Sequence, residues 1–234
     1  QLTPFVKIDE SLLEFDQLSE LNRLSVLKEI KATERSESQV SEIKRRNKID
    51  GSLDQAKEAY EGGDAALAIE IYGKTLKQDP ENVLAWLNMG NVFKGMKRFG
   101  AAEIAYKRTL EINPFYLYGN IALAQLYLVS KAPDKALDVL RSVRKWHSGD
   151  SEVSLYMGLA FAFQKKVDLA IKEFQNAIRI DPEFGLPYYY TGIQLFSSRP
   201  NISKKNLKKF LVLSSENPEN QNLILKARQL LGQL

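Results

Sequence analysis

Leu76-Lys-Gln-Asp-Pro80, Leu110-Glu-Ile-Asn-Pro114 and Ile178-Arg-Ile-Asp-Pro182 are one phrase written three times, with the prolines 34 and then 68 residues apart. Each phrase ends a helix-compatible run with a residue that lacks an N–H and has a fixed φ, which stops a helix. Self-similarity at this period means a stack of helical hairpins, each too small to bury its apolar face without its neighbours. Helix formers dominate the 234 residues and no run alternates as a strand does, so the fold class is all-α. Scaffolds of this kind bind other molecules far more often than they transform them.

Around the prolines the same offsets recur. Upstream of Pro114 stand Trp86, Met89, Gly90, Phe93, Ala102, Tyr106 and Thr109. Upstream of Pro182 stand Met157, Gly158, Phe161, Ala170, Phe174 and Ala177, with Ser154 in place of the tryptophan. This pattern resembles the tetratricopeptide repeat. The first copy is looser, with Ala56, Ala59, Ala68, Tyr72 and Thr75. The third keeps Leu123, Ala124, Tyr127, Ala136, Leu140 and Val143, with Ser148 in place of proline. A fifth holds Tyr188, Thr191, Gly192, Leu195, Leu207, Phe210 and Leu213, and its Pro218 falls two residues late. The extra pair is expected in Ser197-Ser-Arg-Pro-Asn201, a turn-rich cluster between the two helices.

The resemblance implies a right-handed superhelical solenoid of about five hairpins, at about 50–83, 84–116, 117–150, 151–184 and 185–218. An N-terminal helical extension (1–49) and a C-terminal capping helix (219–234) flank it. The small Gly90, Ala124, Gly158 and Gly192 are expected to let the second helix of a hairpin approach the first. Ala68, Ala102, Ala136 and Ala170 meet them from the other side. All of these are packing positions.

The two ends differ. Leu223, Ala227, Leu230, Leu231 and Leu234 recur at helical spacing, with Lys226, Arg228 and Gln229 opposite, which reads as an end cap. At the other end Ser11-Leu-Leu-Glu14 reads as a capping box opening a helix to about Lys31. Its apolar Phe15, Leu18, Leu21, Leu24 and Leu27 recur every three residues, so the stripe winds around the helix and suits a groove. A second helix is expected to resume near Val40 and to run through Leu53 into the first repeat.

In the family the first helices of successive hairpins line a concave surface. By repeat phase that surface would carry Leu84, Leu87, Asn88, Asn91 and Lys94, then Tyr118, Ile121, Ala122, Gln125, Leu128 and Val129. Further along follow Glu152, Leu155, Tyr156, Leu159, Ala162 and Phe163, then Leu186, Tyr189, Tyr190, Ile193 and Phe196. Some fifteen apolar side chains exposing roughly 50 Å² each would leave ~750 Å² uncovered, more than a soluble monomer usually shows. The groove is expected to be filled by a partner's helix or peptide, by the chain's own Ser11–Lys31 helix as an autoinhibitory guest, or by self-association. Two alternatives stand beside these. Tight winding would bury several of these residues against one another, and the N-terminal helix could instead cap the first repeat.

Tyr118, Tyr156, Tyr189 and Tyr190 would anchor a guest, with Asn88, Asn91 and Gln125 bonding its backbone. The leading reading is a non-catalytic protein-interaction scaffold or adaptor. The alternative is a self-associating component of a bacterial envelope, secretion or motility assembly, a role drawn from the resemblance. A chaperone-tail clamp is disfavoured, since Leu53, Lys57, Tyr118 and Ala122 stand where most of its polar residues belong. Zero cysteines and the single His147, at a helix end, leave no zinc site and no catalytic pair, and neither cofactor nor small-molecule substrate is expected. The basic clusters Lys44–Arg46, Arg141–Lys145 and Lys204–Lys209 lie on different segments, which disfavours nucleic acid, as does a net charge of only +4. The apolar stretch Leu155–Phe163 is too short to span a bilayer. The chain begins at Gln1, which leaves room for an upstream segment, and the compartment is left as cytoplasmic or periplasmic and membrane-peripheral.

Overall fold

A computed structural model describes residues 37–214 and 218–234 of the chain, and no strand occurs among them. The chain divides into two compact units, Gln1–Pro80 and Glu81–Leu234. The described part of the first unit is one hairpin, α1 (Glu37–Glu61) and α2 (Ala65–Gln78). The helix expected near Val40 therefore starts at Glu37 and runs unbroken into the hairpin. Its Ile49, Leu53 and Ala56 are buried, as are Ala68 and Tyr72 of α2. Gly63 turns the chain at φ +91°, a conformation that costs glycine nothing. The Asp64 carboxylate then caps α2 by accepting from Leu67 N at 2.9 Å.

The second unit holds four more hairpins and a cap. The hairpins are α3 (Val83–Gly95) with α4 (Phe99–Ile112), and α5 (Leu117–Val129) with α6 (Pro133–Arg144). They continue with α7 (Ser151–Phe163) and α8 (Val167–Ile180), then α9 (Gly185–Leu195) and α10 (Pro200–Ser214). α11 (Gln221–Leu231) closes the stack. In the repeated phrase the residue before proline terminates the helix. Asn113 and Asp181 follow α4 and α8, and their side chains accept from Phe115 N and Glu183 N at 3.2 and 3.0 Å.

The turn inside each hairpin repeats too. Lys97, Lys131 and Lys165 sit at φ 59°, 57° and 60°, in phase with Gly63. Each lets the next residue bond back across the helix end: Arg98 N to Phe93 O (2.8 Å), Ala132 N to Tyr127 O (2.8 Å) and Lys166 N to Phe161 O (2.9 Å). Between the two helices the small residues act as the spacing predicts. A Cβ on Gly90 would lie 2.5 Å from Tyr106 Cε1, and one on Gly158 2.4 Å from Phe174 Cε1. The hairpin that has Ala124 instead of glycine has Leu140 in place of the ring, and both are fully buried.

The fifth hairpin corrects the sequence reading. Gly192 meets Leu207 and the backbone of Ser203, so Ser203 takes the place of Ala170 and Leu207 that of Phe174. The connection between α9 and α10 is thus one residue short rather than two long, and the extra residues come after Phe210. Ser203 fits the alanine place because its hydroxyl donates to Gly192 O at 2.7 Å while fully buried. Leu213, expected in the core, is only half-buried. Beyond it Ile224 and Ala227 of α11 close over Tyr189, Leu207 and Phe210. The expected cap residues Leu223, Leu230, Leu231 and Leu234 pack half-buried around that cluster, and Ile224 is the anchor the spacing missed.

Within the second unit the first helices α3, α5, α7 and α9 each touch the next, whereas successive second helices make at most slight contact with one another. The first helices therefore form the tighter, inner layer.

Candidate binding groove

The inner layer positions most of the residues that repeat phase assigns to it, but not all on its surface. Leu87, Ile121, Leu128, Leu155 and Tyr189 are at most 5% exposed and belong to the core. They are corrected from contact residues to packing residues, because the first helices lie close enough to bury them against one another. Asn88, Asn91, Tyr118, Gln125, Tyr156, Leu159, Tyr190, Ile193 and Phe196 are half-buried. Leu84, Val129 and Phe163 are open to solvent at 40, 58 and 54%. The uncovered apolar area is accordingly well below the ~750 Å² drawn from fully presented side chains. Phe15, Leu18, Leu21, Leu24 and Leu27, assigned as an internal guest, lie outside the described residues.

A hydrogen-bonded seam crosses this face. Lys94 Nζ donates to Gln125 Oε1 at 3.0 Å, and Gln125 Nε2 donates to Tyr156 OH at 2.5 Å, joining α3, α5 and α7. Tyr106 OH, from the buried side of the same hairpin, donates to Asn91 Oδ1 at 2.8 Å. Each end of the Gln125 amide thus already has one partner within the chain. Burial holds the Lys94 ammonium below the usual lysine range, and no described carboxylate pairs with it within 4 Å. Burial also raises the Tyr156 phenol, with the negative charge of Glu152 adding to it and the Gln125 bond opposing it. Toward α9 the seam gives way to rings. Tyr190 stacks on Phe174 (centroids 5.8 Å apart, 24°) and meets Tyr189 edge-on at 5.2 Å.

A second exposed cluster escaped the sequence reading. Phe115 and Trp146, 51 and 65% exposed, meet at 4.7 Å between the ends of two successive hairpins. His147 Nε2 lies 3.0 Å from Phe115 O, which explains that histidine as a link between loops. Repeat phase gives no signal for this pair, because Phe115 follows Pro114 whereas Trp146 precedes Ser148, the residue that stands in the proline's place. Some residues of the basic clusters are paired locally. Arg45 pairs with Glu42, Arg141 with Asp138 and Lys209 with Glu183, and Arg144 grips both oxygens of Glu173 at 2.8 and 3.0 Å. No group of three metal-binding side chains occurs among the described residues, and no described helix is long and apolar enough to cross a membrane.

Residues 53–116 match the profile described as tetratricopeptide repeat. Protein bimA of Emericella nidulans is 30% identical over 100 residues, 42% of this chain but 12% of that protein. The chain therefore spans only a small part of that relative's length. Among solved structures, PilW, titled a widely conserved type IV pilus biogenesis factor, has a TM-score of 0.67 at 18% identity, over 79% of this chain and 86% of that one. YrrB, titled a protein of the same repeat class with an unusual peptide-binding site, has a TM-score of 0.55 at 19% identity, over 81 and 97%. At these identities the likeness is one of fold.

Proposed function

We propose, for a chain that belongs to the tetratricopeptide-repeat family, that its second unit is a non-catalytic scaffold holding a partner's helix or extended peptide along the first-helix layer. The observation that carries this reading is the presentation of Leu84, Val129 and Phe163 on the layer that also bears Tyr118, Tyr156, Leu159, Tyr190, Ile193 and Phe196 half-open. Large apolar and aromatic side chains, rigid and partly desolvated before binding, lose little entropy on contact and dominate binding energy. Asn88 adds a half-buried amide on the same face. The fold shared with YrrB, titled a repeat protein of this class with an unusual peptide-binding site, agrees with a protein partner without naming one.

The test uses peptides selected by display against the full chain, then titrated by fluorescence anisotropy. Phe163→Asp and Val129→Asp should each weaken binding by tenfold or more, about 1.4 kcal/mol. Ile104→Asp, at a 66% exposed site on the second helix α4, should leave it unchanged. Equal losses at all three sites, or a loss at Ile104 alone, would place the binding surface elsewhere.

A further inference from the structure

Lys94 is unlike every other lysine in the pairs described above. It sits half-buried at the end of α3, and its ammonium has three donors but a single neutral acceptor, Gln125 Oε1 at 3.0 Å. One turn earlier on the same helix, Asn91 accepts from Tyr106 OH through its oxygen, and its NH2 donates to no group among the described residues. Gln125 in turn spends its own NH2 on Tyr156. The inner layer thus holds a patch of donors around a cation with no described carboxylate within 4 Å. Withdrawing a cation from water without a counter-charge is costly, and a charge-assisted bond to a carboxylate would offset that cost.

We infer that the guest of this groove carries an aspartate or glutamate side chain that docks on Lys94 and Asn91. The inference rests on the groove reading above and deepens it by fixing the chemistry of one guest position. The rest of the guest, facing Val129, Leu159, Phe163 and Ile193, is apolar. A guest helix would therefore show one acidic residue at the edge of an apolar stripe. The acid acts in register: it sets where along the seam the stripe begins, while the apolar contacts supply most of the affinity.

A random-peptide phage library selected on the full chain tests this. Peptides that bind the chain should share an Asp or Glu at a fixed distance from their apolar residues. Peptides selected on Lys94→Met should lack it. In synthetic versions, Glu→Gln should weaken binding to the unaltered chain about tenfold and leave binding to Lys94→Met within twofold. Bound peptides with no acidic preference, or an equal Glu→Gln effect on both proteins, would overturn the inference while leaving the groove reading intact. Loss of binding on amidating the peptide C-terminus, with no Glu→Gln effect, would overturn it in favour of a terminal carboxylate. If neither protein selects any peptide, the groove reading fails and the acidic anchor with it.

Discussion

Three lysines carry a backbone cost at matched places. Lys97, Lys131 and Lys165 adopt the left-handed conformation that Gly63 adopts freely at the same phase. Replacing Lys131 with glycine should raise stability by roughly 0.5–1 kcal/mol, read as a higher urea midpoint with unchanged slope, because relief of left-handed strain outweighs the added chain entropy. The opposite sign is expected at Gly158. Its Cβ would lie 2.4 Å from Phe174, so Gly158→Ala should destabilise by about 1–3 kcal/mol. Adding Phe174→Leu should recover part of that loss, since the chain already pairs Ala124 with Leu140. Lys94 has a pH signature. Its proton is held less tightly folded than unfolded, so the unfolded chain binds more protons and stability rises with pH up to the ordinary lysine value near 10.5. Lys94→Met should therefore stabilise the chain at pH 7, and the gain should shrink as pH approaches 10.5 in a series of urea melts.

Elements were legible where a local rule fixes them. The Asp-Pro and Asn-Pro phrases stop α2, α4 and α8, and the Gly-aromatic pairs mark where two helices cross. The fifth hairpin was misphased because a serine can take the alanine place when its hydroxyl finds a carbonyl, and nothing local announces that Gly192 O lies 2.7 Å away. A similar exchange explains Ser154, which stands where the repeat calls for a large residue. It is buried, and Asn176 Nδ2 donates to its hydroxyl at 2.8 Å from α8. Between hairpins, Arg144 Nη1 on α6 donates to both carboxylate oxygens of Glu173 on α8, whose side chain is only 13% exposed. Arg144→Met should lower stability by roughly 1–3 kcal/mol by leaving a partly buried carboxylate without its partner. Titration of the variant in urea checks it, and a change below 0.3 kcal/mol would mean the pair is no more than an ordinary surface contact.

Across the second unit, the groove was legible in outline but not in depth. Repeat phase names which side chains face inward, yet whether an inward residue is open or buried depends on how tightly the first helices wind. Leu155 and Phe163 lie on one helix face by phase, and the first is 1% exposed while the second is 54%. The large core from Leu87 to Phe174 is continuous through α3–α8 and densest in α5–α8, whereas α9–α11 share a smaller cluster. Amides of α5–α8 should accordingly exchange slowest in hydrogen-exchange experiments, and those of α11 fastest among the helices of this unit. The contact pattern between layers has a mechanical side. A stack joined along its inner edge and slack along its outer one works like a hand fan. Flattening it to admit a thicker guest brings the second helices together across a gap instead of compressing a packed core. The Arg144–Glu173 pair is a stitch across the outer edge of that fan. It is the one ion pair among the described residues that joins two second helices.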